Sequence, residues 1–362
     1  MTNEKKDKKY KVGIYSPYLE VFGGGERYIY SIASLLSSHN DVFIYADKSI
    51  SDKAKDLLNI DLNRVHFLPL AKFRVQNFLN KYISLNKFDL FFSMTDGSLF
   101  FSAARNNFLV IQSPAHIPAA NFLNKLKLVN WRILCYSQFM QEIIYKKIEK
   151  KADILPPCID DGKINSTHTQ KENIILTVGR FFLYPHSKKH KFMLKSFIKN
   201  YSKYFTGWKL IIAGGLTEEG GQELVNQLKV QSIEFPVDIV VNPSFDSLQM
   251  LYQRAKIYWH ATGFGEDLEK FPERAEHFGI TTVEAMAKGA VPVVFNGGGQ
   301  KEIISDGIDG FLWNSEKDLI AKTYKLISDK HLWQDASGQA RDKATFYSAQ
   351  KFYAKLQKII NR

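Results

Sequence analysis

Short apolar runs rich in β-branched residues alternate with segments of helical spacing along most of this chain. Residues 12–16 read as a strand. Tyr28, Ile29, Ile32, Leu35 and Leu36 then recur on one helix face, and residues 42–46 form a second strand. Further strands are expected at 90–92, 108–112 and 133–137. The Pro156-Pro157 pair cannot continue a helix, and residues 160–172 are polar, so this stretch has the composition of a linker. The alternation then resumes, with strands at 174–178, 209–214, 237–241, 256–260, 291–295 and 310–313. Helices are expected at 192–204, 218–230, 247–254, 282–288 and 316–328. Strands separated by helices form a parallel sheet covered on both faces. The pattern predicts an α/β protein of two doubly wound, Rossmann-like domains, residues 1–155 and 156–345. Ligands are expected between the domains, at the carboxyl ends of the strands.

Composition narrows the function classes. The two cysteines, Cys135 and Cys158, lie in unrelated contexts, which excludes a disulfide scaffold or a Cys-based zinc cluster and fits a reducing compartment. The first nine residues hold no apolar core, so no secretory leader is expected, and no apolar run approaches the roughly 18 residues of a spanning helix. A cytoplasmic location follows as the expectation. The formal net charge is +12 and 14% of residues are aromatic. Such a surface suits phosphorylated small molecules or acidic headgroups. No zinc finger, RNP-like strand or arginine comb points to nucleic acid. Two basic, amphipathic stretches stand out, Lys72 through Tyr82 and Phe122 through Arg132. They read either as helices on an anionic membrane surface or as packed helices with a solvated lysine face.

Several segments at strand ends carry candidate chemistry. Glu276 and Glu284 flank Gly279, Ile280, Thr281 and Thr282 at an expected helix N-terminus, where free N–H groups and positive dipole favour phosphate. The same segment contains Thr281-x-x-Glu284, a capping box, with Gly289 as the helix stop. Gly23-Gly24-Gly25 follows the first strand and lets backbone approach a phosphate. A dinucleotide fingerprint fails there, because Tyr28 takes the third glycine position. Gly179-Arg180 follows another strand, with Lys188, Lys189 and Lys191 ahead of the next helix, cations suited to a departing diphosphate. The glycines at 297–299 read as a ligand-facing turn or an ordinary tight turn. The acids from Glu266 to Glu276 lack His or Cys spacing, and no metal is expected. His116, after the strand at 108–112, reads as a structural histidine, or as one that binds a sugar hydroxyl or takes the acceptor's proton.

Gly24-Gly25-Glu26, Val178-Gly179-Arg180 with Lys188, Glu276-x7-Glu284, Ala285 to Gly289, and Gly297-Gly298-Gly299 with Glu302 occur in order across most of the chain. In this set the chain resembles the retaining glycosyltransferases of family 4, with the GT-B fold. Around Glu276-His-Phe-Gly-Ile280 it is most similar to mannosyltransferases that act on lipid-linked oligosaccharides. The resemblance implies a nucleotide-sugar donor, with GDP-mannose favoured, a lipid-linked or glycan acceptor, and retention without a metal or cofactor. It implies diphosphate on Arg180 and Lys188, transferred sugar on Glu276, ribose on Glu284, sugar and phosphates on the amides of residues 279–282, and phosphate closure by Gly24 and Gly25. It also implies that a C-terminal helix within 346–362 crosses back onto the first domain. Two departures leave alternatives open. The long loop after Arg180 offers Lys188, Lys189 or Lys191, and Gln112-Ser-Pro114 stands where many members carry His-x-Pro, which leaves His116 as a displaced candidate. A sugar-nucleotide hydrolase or epimerase and a non-catalytic binder remain the competing classes.

Overall fold

The computed structural model describes residues 9–160, 170–182, 187–216 and 220–362. The expected linker at 160–172 and helix start at 218 therefore fall partly outside the described residues, as do 183–186 of the loop after Arg180. The chain divides into two compact units. The first comprises Met1–Tyr136, Met140–Leu155 and Tyr353–Arg362, the second Ser137–Phe139 and Pro156–Phe352.

Among the described residues the first unit holds a seven-stranded parallel sheet. Its strands are β1 (Lys11–Tyr15), β2 (Asp41–Tyr45), β3 (His66–Leu68), β4 (Leu90–Met94), β5 (Asn106–Val110), β6 (Trp131–Cys135) and β7 (Ala152–Ile154), in the order β3-β2-β1-β4-β5-β6-β7. The second unit holds a six-stranded parallel sheet. Its strands are β8 (Glu172–Val178), β9 (Lys209–Gly214), β10 (Val237–Val241), β11 (Ala255–His260), β12 (Val291–Phe295) and β13 (Phe311–Trp313), in the order β10-β9-β8-β11-β12-β13. The strand order reverses between β1 and β4 in one sheet and between β8 and β11 in the other. Beyond the carboxyl ends at such a reversal the flanking helices leave opposite faces, which opens a crevice for a ligand.

The continuous apolar strands follow from burial on both faces. Every residue of β4 is buried, and β8 buries Ile174 to Val178. The second unit packs Phe197, Phe205, Trp259 and Trp313 into one core. β3 and β7 are absent from the sequence reading because three residues show too little alternation, and His66 points to solvent. The helix Lys330–Ala344 also escapes that reading. It buries only small residues, Ala336, Ser337, Ala340 and Ala344, so it carries no strong apolar stripe. The C-terminal helix Ala349–Ile360 buries Phe352, Leu356, Ile359 and Ile360, and its Tyr353–Arg362 portion groups with the first unit. No helix among the described residues is long and apolar enough to cross a membrane.

Candidate active site

In the second unit the chain leaves β8 through Gly179. Its N–H donates to the Ala213 carbonyl (3.0 Å), and Phe181 N–H donates to the Gly215 carbonyl (2.8 Å), so the segment lies along the end of β9. The approach requires glycine. A Cβ on Gly214 would lie 1.8 Å from the Gly179 carbonyl oxygen, and one on Gly179 would lie 2.6 Å from Lys188 Cγ. Arg180 is thereby set at the strand end, its guanidinium 5.0 Å from the Phe182 ring. Lys188 Nζ reaches Glu276 Oε2 at 2.6 Å, and His260 Nε2, at the end of β11, meets the same oxygen at 2.9 Å. Lys189 instead binds Glu266, which also accepts from Arg274 (2.8 Å). Of the three candidate lysines, Lys188 is thus the one on Glu276.

The Glu276 side chain is only 16% exposed and His260 3%. Burial alone would raise the Glu276 carboxyl, but the Lys188 ammonium and the His260 hydrogen bond hold it well below its usual range. Burial lowers His260, against the pull of Glu276, so the cluster is an ammonium, a carboxylate and a neutral imidazole. Glu276 is thus fixed by two partners from distant parts of the sequence. A lone histidine sixteen residues upstream gave no signal of the contact.

Helix Ile280–Ala287 starts at Gly279, whose φ of +114° is a glycine conformation. A Cβ there would also lie 2.6 Å from Gln300 Nε2. The capping box does not form, and no side chain caps this helix. Thr281 Oγ1 accepts from Tyr258 OH (2.7 Å), Thr282 Oγ1 from Gln300 Nε2 (2.9 Å), and Glu284 Oε2 from Tyr252 OH (3.0 Å). Residues outside the helix therefore take up its hydroxyls and its carboxylate; no side chain caps the first-turn amides, and Thr282 N–H turns back to the Gly279 carbonyl (3.0 Å). Gly289, at φ +75°, ends the helix with Ala290 N–H on the Ala285 carbonyl (2.9 Å). The turn at 297–299 packs against the Glu276 segment, and the Gly297 and Gly299 amides go to main-chain carbonyls. Gly299 N–H donates to the Glu276 carbonyl (2.7 Å), and a Cβ on Gly298 would lie 2.2 Å from that oxygen.

His190 opens the helix that follows Lys188. It is 2% exposed, and neither ring nitrogen has a hydrogen-bond partner among the described residues. Burial, then the Lys188 charge, push its pKa down to about 3 from 6.5. The folded state excludes a proton that the unfolded chain takes up below pH 6.5. Its contribution to stability is therefore complete above that pH and fades toward pH 3, by a few kcal/mol in total. Unfolding midpoints followed by urea titration should fall with pH in that window, and His190→Leu should flatten the slope. Equal slopes for both proteins would contradict the assignment.

The first unit carries the remaining candidates. Gly24 is the first residue of helix Gly24–Ser37, and Gly23 N–H donates to Glu26 Oε2 (2.8 Å). A Cβ on Gly25 would lie 1.8 Å from Gln112 Oε1, so a larger residue there would displace the Gln112 side chain at the end of β5. His116 stacks on Tyr18 at 5.7 Å. Burial lowers its pKa while the Asp96 charge opposes the shift, leaving a neutral imidazole near neutral pH. Asp96, beyond β4, was not singled out by sequence. It lies in a short turn, bonded to Ser98.

Two doubly wound parallel sheets in series, with glycine turns at the strand-order reversals, define the GT-B class of glycosyltransferase folds. The structure matches HepE of Anabaena in complex with UDP at TM-score 0.71, with 14% identity over 97% of this chain and 99% of that one. It matches a glycosyltransferase of Rickettsia africae at 0.72, with 15% identity over 98% of each chain. The family model for glycosyl transferases group 1 matches residues 160–343, half of the sequence, and the chain belongs to that family. Among curated proteins it is similar to the GDP-Man:Man(3)GlcNAc(2)-PP-Dol alpha-1,2-mannosyltransferases. Identity to that of Dictyostelium discoideum is 26% over 52% of this chain and 37% of the relative. Identity to the human one is 28% over 55% of this chain and 41% of the relative. The matches thus cover about two fifths of the length of these relatives.

Proposed function

We propose that this glycosyltransferase moves a sugar, mannose from GDP-mannose by preference, onto a lipid-linked or glycan acceptor, with retention at the anomeric carbon and without a metal or cofactor. The observation that carries the reading is the Lys188–Glu276–His260 cluster at the β8/β11 reversal, in the same turn system as Arg180. As the anomeric C–O bond breaks, its electron pair goes to the diphosphate. Arg180 and Lys188 supply fixed positive charge for that oxyanion, the role a metal would otherwise fill. The amides of Gly279, Ile280, Thr281 and Thr282 add the helix dipole. Glu276 binds hydroxyls of the transferred sugar, positioned by His260, and Glu284, steadied by Tyr252, accepts from the ribose. From the first unit, His116 takes the acceptor's proton as a neutral base, and Gly24 and Gly25 give backbone contact to phosphate. The donor preference rests on the mannosyltransferase relatives.

A thermal-shift series with GDP-, UDP- and ADP-sugars tests donor binding, because a ligand that binds only the native state raises its melting temperature. GDP-mannose should give the largest shift; no shift with any of them removes the reading. Nucleotide release that needs no acceptor would favour a hydrolase. Glu284→Gln should weaken nucleotide affinity roughly tenfold, the loss of one hydrogen bond to a charged acceptor. Its amide oxygen can still accept from Tyr252, so the melting temperature should barely move. An unchanged Kd by calorimetry would deny Glu284 the ribose.

A further inference from the structure

Three short helices of the first unit turn apolar side chains outward. In Leu70–Val75 and Phe78–Leu85 only Phe73 and Leu85 are buried, while Phe78 is 56% and Ile83 66% exposed. In Phe122–Leu128 only Leu128 is buried, while Phe122 is 78% exposed and the following Val129 74%. A cavity of about 420 Å³ is lined by both Phe78 and Leu123, with Phe100 and Phe101 also in its wall, so these outward faces adjoin. Of the two readings of the amphipathic stretches, the exposed apolar faces favour the surface-lying one. Contiguous aromatic and aliphatic side chains of this size are not left in water without a partner surface.

The charge around them narrows what that surface is. Residues 70–88 and 114–132 contain Lys72, Arg74, Lys81, Lys125 and Lys127 among their basic residues and no Asp or Glu. Lys81 extends over the Phe73 and Phe100 rings, and Lys127 donates to the Leu99 carbonyl, so both keep their stems on apolar surface at the cavity rim. Lys72, Arg74 and Lys125 are exposed. Lys125 lies 4.0 Å from Glu149, an exposed acid outside these stretches, while Lys72, Arg74 and Lys81 have no acid partner among the described residues, so a second copy of this face would still set mostly cations against cations. Outward Phe and Ile among lysines, on helices too short to span, match the headgroup boundary of an anionic bilayer, where apolar tips enter the acyl layer and cations meet phosphates.

We propose that this face of the first unit docks the protein on an anionic lipid bilayer, through Phe78, Ile83, Phe122 and Val129 with Lys72 and Lys125. The inference is independent of the transfer reading, since none of these residues belongs to the candidate active site. It is tested by flotation of the full chain with vesicles of phosphatidylcholine alone and of phosphatidylcholine with phosphatidylglycerol. Binding should require the anionic lipid and weaken at high salt. Ile83→Ser with Phe122→Ser, and separately Lys72→Glu with Lys125→Glu, should each lower the vesicle partition coefficient at least tenfold. The melting temperature should hold, because all four side chains are exposed. Failure of the unaltered protein to float with anionic vesicles, or undiminished binding by either variant, overturns the proposal. So does a dimer in light scattering that Ile83→Ser with Phe122→Ser dissociates.

Discussion

Lys188→Ala should cost the protein both stability and turnover, and the stability cost should shrink in acid. The substitution leaves the Glu276 carboxylate largely buried, with only the neutral His260 beside it. Breaking a buried ion pair by removing one partner destabilises by about 3–5 kcal/mol. The loss here should lie below that range, since Glu276 can take up a proton. In the unaltered protein its folded pKa is depressed below 4.5, so the pair's contribution is complete above about pH 4.5 and is lost as pH falls through the lowered value. Without the ammonium, burial dominates and raises the carboxyl, so acid should narrow the stability gap between variant and parent, on top of the fall that His190 imposes on both. Unfolding midpoints measured from neutral pH down to about pH 3 would show that gap closing, and parallel curves would refute the coupling. Turnover of the preferred donor should fall roughly a hundred- to a thousand-fold, the effect of losing one fixed charge at a developing oxyanion. Lys188→Arg should recover part of it.

Glu276→Gln is the second large effect, and it separates binding from chemistry. The amide keeps the shape and one acceptor but lacks the charge. Transfer should fall by roughly two to three orders of magnitude. Nucleotide affinity should hold or tighten, because Lys188 no longer shares its charge with a carboxylate and is available to the diphosphate. Single-turnover assays beside calorimetric Kd values distinguish the two quantities. Weakened nucleotide binding with normal turnover of bound donor would remove Glu276 from the sugar.

Much of the scaffold is legible in the sequence because a parallel sheet buries whole strands. The apolar runs of β4, β8 and β12 announce themselves without reference to their neighbours. What stays hidden depends on distant partners. His260 ends a strand sixteen residues before Glu276, Tyr252 lies in the helix Phe245–Arg254, and Gln300 follows β12. No local spacing joins them to Glu276, Glu284 or Thr282. Thr281-x-x-Glu284 matches a cap by spacing, yet the tyrosines at 252 and 258 take both side chains. Hydrophobic period also fixes the face of a helix without saying whether that face turns inward. The segments around Phe78 and Phe122 therefore read either way from sequence, and their exposure favours the outward face.

The turn at 297–299 ties two stretches of the fold into a single module. Gly298 and Gly299 leave no room for a methyl group against the main chain of residues 276–278, so Glu276 is held from behind by a loop that belongs to the next strand. Anyone transplanting this carboxylate onto another parallel sheet would have to carry the glycine turn with it. Anyone seeking a different sugar preference by varying residues near 276 would find the side chain negotiable and the path of the backbone already spoken for.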